Sequence, residues 1–122
     1  MALPETGDRL LLLHNPRCSK SREARRLLEE RGAAFDERRY LEDPLSRAEL
    51  EELSRRLGLP VREWVRRGEA AWKEAGLGAE ASDARLLEAI AAHPILLQRP
   101  IAIRGERAVL GRPPERVVEL LG

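Results

Sequence analysis

The chain holds one cysteine, Cys18, within the run His14-Asn15-Pro16-Arg17-Cys18-Ser19-Lys20-Ser21-Arg22. A lone thiol excludes an internal disulfide, and with His14 and His93 as the only histidines the chain cannot supply a Cys/His zinc site. A lone thiol can still be a nucleophile, and its setting favours that role. An apolar run precedes it, Pro16 marks a turn, and a helical pattern opens at Ser19. Free N–H groups at a helix N-terminus carry partial positive charge, and Arg17, Lys20 and Arg22 are close in sequence. Both effects favour the thiolate and lower a thiol pKa from its usual value of about 8.5. The same N–H groups can cradle a tetrahedral oxyanion, so nucleophile and anion site coincide. His14 is a second contributor, by hydrogen bonding or by charge.

Arginine is the other chemically weighted residue. Of 22 basic side chains only Lys20 and Lys73 are lysine. Composition bias accounts for most of the arginines, but three stand out by context. Arg66 ends a short helical segment near Trp64, Arg99 directly precedes Pro100 where a strand begins, and Arg112 follows Gly111 ahead of two prolines. A guanidinium is always charged and binds tetrahedral oxyanions through two donors. Arg99 and Arg112 bracket a predicted hairpin, which lets them approach each other.

The elements that must position these groups follow from pattern. Leu10 to Leu13 reads as a buried strand. From Ser19, Ala24, Leu27 and Leu28 share a helical face, and Gly32 stops it. Ala34 to Leu41 reads as a second strand. Ser46-Arg47-Ala48-Glu49 has capping-box spacing ahead of the stripe Leu50, Leu53, Leu57, which Gly58 ends. Val61, Trp64 and Val65 predict a short helix up to Gly68, and Ala71, Trp72 and Ala75 another up to Gly76. Ser82 caps a further helix with Leu86, Leu87, Ile90 and Ala91 on its face, closed by His93-Pro94. Ile101 to Arg104 and Arg107 to Leu110 flank Gly105-Glu106, which suits a type II′ turn. Pro113-Pro114 leads into a C-terminal amphipathic helix. This β-α-β order, helical block, hairpin and last helix predict an α/β, thioredoxin-like fold: a mixed β-sheet flanked by helices, with an inserted helical segment.

Composition narrows the function classes. The 122 residues fit a single domain over positions 1–122, and 43% hydrophobic residues suffice for a core. The 22 basic and 21 acidic residues nearly cancel to +1, against direct nucleic-acid binding or a polybasic membrane tether. No apolar run spans a bilayer, and no signal-peptide pattern opens the chain, so a cytoplasmic protein with no membrane association is expected. A thioredoxin-type C-x-x-C fails at Ser21, and a phosphatase-type C-x5-R loop fails at Ala24.

The motifs together resemble the glutaredoxin-coupled arsenate reductase (ArsC-like) family. His14 to Arg22 resembles its active-site loop, and Tyr40-Leu41-Glu42-Asp43-Pro44 is similar to the segment after its second strand. His93-Pro94-Ile95-Leu96-Leu97-Gln98-Arg99-Pro100-Ile101 and Gly111-Arg112-Pro113-Pro114-Glu115 resemble two further signatures. The resemblance implies Cys18 as the nucleophile toward arsenate, with His14 helping to activate the thiol. It implies Arg66, Arg99 and Arg112 as oxyanion ligands, Asn15, Ser21 and Arg22 as loop support, and Pro100 as a cis-proline. It further implies a monomer without metal or bound cofactor, using glutathione or another external thiol as co-substrate and a glutaredoxin-like reductant as partner. The alternatives are a redox adaptor of the same family that binds RNA polymerase, which Ser21 in place of a second cysteine disfavours, and a general thiol-redox protein.

Overall fold

The computed structural model describes residues 2–121. These group into two compact units. One comprises the residues up to Asp43 together with those from Arg99 on, and the other is Pro44–Gln98.

The first unit is built on a four-stranded sheet in the order β2-β1-β3-β4. The strands are β1 (Leu10–His14), β2 (Phe35–Arg39), β3 (Ile101–Arg104) and β4 (Arg107–Leu110). β1 pairs in parallel with β2 and antiparallel with β3. Helix α1 (Ser19–Glu30) makes the parallel β1–β2 crossover. Every residue of β1 is buried, as its unbroken apolar run requires. Leu10, Leu12 and Ala102 pack with Ala24 and Leu28 of α1 and with Val117 and Leu120. The β3–β4 register joins Arg104 to Arg107 across Gly105-Glu106. Gly105 has φ +57°, and among the described residues no non-glycine residue has positive φ, which together give the expected type II′ turn. The mixed sheet with its crossover helix is the thioredoxin-like arrangement that the element order predicted.

The C-terminal segment is an amphipathic helix as expected, but of the tighter kind. Pro114–Leu121 winds as a 3₁₀-helix. Its buried residues, Pro114, Val117 and Leu120, recur every third position, the period at which a 3₁₀ coil presents one face.

The second unit carries α2 (Arg47–Leu57), α3 (Ala70–Glu74) and α4 (Asp83–Ala92). The Ser46–Glu49 capping box is formed in both directions, and Gly58 closes α2 with a left-handed φ of +65°. Ser82 caps α4 by accepting from the Arg85 N–H. The helix predicted from Val61 to Gly68 is a single 3₁₀ turn, Val61–Glu63. Val65 instead pairs as an isolated antiparallel bridge with Leu97, and backbone bonds run from Arg66 N–H to Leu96 and from Gln98 N–H to the Trp64 carbonyl. Such long-range pairing overrides the local period. Among the described residues no helix is long and apolar enough to cross a membrane.

Candidate active site

Cys18 is the N-cap of α1, with extended φ and ψ, and is partly exposed. Its position is fixed by a tight turn out of β1. The Cys18 N–H donates to the Asn15 carbonyl (3.0 Å), and the Arg17 N–H donates to Asn15 Oδ1 (3.0 Å). From the first turn of α1, Arg22 Nη1 reaches back to the Pro16 carbonyl at 2.9 Å. Asn15 and Arg22 therefore both act on the loop's backbone.

Ser21 ties this loop to the sheet. Its side chain is fully buried, and Oγ accepts from the Asn15 N–H at 3.0 Å and lies 2.7 Å from His14 Nδ1. Burial pushes the His14 pKa below its ordinary value. The Glu37 carboxylate opposes this, and Arg25, Arg39 and Arg22 add to it. The neutral ring can accept the Ser21 hydroxyl proton at Nδ1. No hydrogen bond joins His14 to Cys18 among the described residues, and His14 meets the loop at Ser21 Oγ.

The thiol makes no side-chain capping bond, yet its surroundings favour the anion. Partial burial pushes its pKa up, but the Ser21 N–H, the Arg99 guanidinium and the Lys20 N–H together outweigh that and hold it below the ordinary thiol value. The helix N-terminus and Arg99 thus converge on one sulfur.

Arg99 and Pro100 are joined by a cis peptide bond, as expected for Pro100, and a second cis bond, unforeseen in the sequence, joins Arg112 to Pro113. The two segments are laced together. Arg112 Nη1 donates to the Arg99 carbonyl at 2.7 Å, and the Gly111 N–H donates to the Pro100 carbonyl at 2.8 Å. A Cβ on Gly111 would stand 2.7 Å from Pro100 Cγ and 3.0 Å from Val117 Cγ1, so the close approach requires glycine. The hairpin accordingly brings Arg99 and Arg112 together, with the Arg112 guanidinium against the Arg99 backbone.

Arg66 belongs to the second unit. It follows the 3₁₀ turn rather than ending a helix, its Nε pairs with Glu69 at 3.0 Å, and its Nη1 donates to Gln98 Oε1 at 2.9 Å. Among the described residues no cluster of His, Cys, Asp and Glu could hold a metal ion. The parallel register aligns His14 with Arg39, which brings the exposed end of β2 beside the loop. The sequence pattern of Tyr40 to Pro44 marked this segment, but Arg39 carried no local signal of its own.

This arrangement provides an activated thiol, amide donors and a guanidinium at one point, the equipment for nucleophilic attack on a tetrahedral oxyanion. Comparison with known proteins agrees with it. The ArsC family model matches residues 13–120. An uncharacterised protein of Escherichia coli is 42% identical over 113 residues, covering 91% of this chain and 95% of its own. An arsenate reductase of Neisseria meningitidis serogroup A is 44% identical over 112 residues, 90% of this chain and 96% of its own. The structure of an arsenate reductase from Vibrio cholerae superposes with a TM-score of 0.87 at 43% identity, covering 94% of this chain and 99% of that one.

Proposed function

The chain belongs to the ArsC family, and from that membership together with the setting of Cys18 we propose that it reduces arsenate to arsenite with an external thiol as reductant. The observation that carries this reading is the convergence of the Ser21 and Lys20 N–H groups and the Arg99 guanidinium on the Cys18 sulfur.

The Cys18 thiolate attacks As(V) and a water leaves, forming a sulfur–arsenic bond. Because the chain has no second cysteine, the next sulfur comes from outside, from glutathione or a similar thiol. That thiolate attacks the Cys18 sulfur, and a disulfide bond forms. The sulfur–arsenic bond breaks with its electron pair left on arsenic, which departs as arsenite. Each sulfur has given up one electron, and arsenic has gained two. A glutaredoxin-like dithiol then frees Cys18 by thiol–disulfide exchange. Arg99 and Arg112 stabilise the negative charge gathered on the arsenic oxygens, a role in which loss of one donor costs about 10²–10³ in rate. His14 and Ser21 are positioning residues for the thiolate. The electrons come from diffusible thiols, so the reaction calls for no bound cofactor, and a monomer working in the reducing cytoplasm suits it.

The test supplies purified protein with arsenate, glutathione and glutaredoxin and follows arsenite formation, with Cys18→Ser as control. Turnover in the wild type and none in Cys18→Ser is expected. A wild-type rate no higher than that of the variant overturns the proposal.

A further inference from the structure

Most arginines of this chain already have partners. Arg9 is paired with Asp36, Arg25 with Glu37, Arg26 with Glu23, Arg47 with Glu51 and Arg116 with Glu119, while Arg104 and Arg112 hold backbone carbonyls. Arg17 and Arg39, like Arg31, Arg62 and Arg107, make no guanidinium hydrogen bond or ion pair among the described residues, but these two stand together beside the active-site loop. Both are exposed, and both line one groove of about 220 Å³ whose wall includes Pro16, Leu41 and Glu42. One side of the groove is the active-site loop itself, since residues 14–17 lead directly into Cys18. The other side is the end of β2 and the turn beyond it. Leu41 is a large hydrophobic side chain left 40% exposed.

We propose that this groove is the docking site of the small thiol that resolves Cys18, and that it takes a peptide thiol of the glutathione class by its carboxylate. The inference rests on the external-thiol step above. Two arginines without counter-ions supply charge-assisted donors for a carboxylate, Leu41 and Pro16 offer apolar surface to the body of a short peptide, and Glu42 suits its ammonium group. Anchoring a thiol beside the loop that carries the nucleophile raises its local concentration and turns an encounter between two solutes into a nearly unimolecular step. A thiol without a carboxylate gains nothing from the groove.

The experiment uses disulfide exchange and needs no arsenate. The Cys18 thiolate attacks one sulfur of oxidised glutathione, a mixed disulfide forms, and one glutathione thiolate leaves. Its rate is followed by mass spectrometry and compared with the rate toward bis(2-hydroxyethyl) disulfide, which carries no charge. In Arg39→Glu the reaction with oxidised glutathione is expected to slow by about tenfold, as for loss of one charge-assisted bond. The reaction with the uncharged disulfide should hold within twofold. Arg31→Glu makes the same charge change at an exposed arginine beside the start of β1, and should leave both rates within twofold. Equal slowing toward both disulfides, slowing toward neither, or equal slowing in Arg31→Glu overturns the docking site. Selective exchange without arsenite production refutes the proposed substrate and leaves the groove standing; arsenite production without selectivity does the reverse.

Discussion

Ser21→Ala tests whether the active-site loop is braced through one hydroxyl. The Ser21 side chain is fully buried, and its Oγ satisfies the Asn15 N–H at 3.0 Å while lying 2.7 Å from His14 Nδ1. Asn15 and His14 are themselves only 5% and 3% exposed, so water cannot replace the lost partner without opening the loop. Stranding a buried amide donor costs about 1–3 kcal/mol. Alanine's higher helix propensity returns about 0.5 kcal/mol at most. A net loss of about 2 kcal/mol follows, a factor of about 30 in the folding equilibrium. For a chain of this length that is a fall of roughly 6–12 °C in Tm. Urea unfolding and thermal melting followed by circular dichroism would measure it. Ser19→Ala, which removes an exposed hydroxyl two residues away in the same helix, serves as the control and should change little. The loop also aims the Ser21 N–H at the sulfur, so alkylation of Cys18 by iodoacetamide at pH 7 should slow in the same variant. A stability loss under about 0.5 kcal/mol with alkylation unchanged refutes the bracing argument.

Arg99→Ala removes a positive charge and a donor that favour the Cys18 anion, leaving the upward pull of burial less opposed. The thiolate absorbance at 240 nm should therefore appear at higher pH than in the wild type, and an unmoved titration would show that Arg99 does not act on the sulfur. Gly111→Ala places a Cβ 2.7 Å from Pro100 Cγ, an overpacking cost of about 1–3 kcal/mol that thermal melting should register. An unchanged Tm would mean that the Pro100 ring yields freely. Ser46→Ala dismantles a capping box closed in both directions and should lower stability by about 1 kcal/mol, with no change expected only if α2 is frayed already.

What could be read in the sequence was what is decided locally. The Ser46–Glu49 box, the stop at Gly58 and the turn at Gly105-Glu106 each depend on a few adjacent residues, and each forms as its residue types dictate. Cys18 before a helix was visible for the same reason. Val65 shows the limit. Its apolar neighbours suggested a helix, but its backbone is claimed by Leu97, a partner 32 positions away that no window around Val65 contains. The last segment is helical as read, but its period differs. Val117, Val118, Leu120 and Leu121 fit an α-helical stripe, whereas the buried set Pro114, Val117, Leu120 follows a period of three. At the site, Arg99 and Arg112 could be paired in advance because a hairpin joins them. Arg39 reaches the loop only through the β1–β2 register, and Arg66 is set among partners that its own sequence neighbourhood does not fully reveal.

The placement of the Ser21 hydroxyl has a consequence for how such a loop can change over time. Position 21 is where a second cysteine would make the loop a dithiol, and a single base change can turn serine into cysteine. Yet in Ser21→Cys the sulfur would inherit the place between His14 and Asn15, sealed from solvent and engaged in holding the turn. A larger atom and weaker acceptor there would loosen the turn before it offered a usable redox partner. In this chain, conversion of the loop to a dithiol would therefore call for changes at His14 and Asn15 as well.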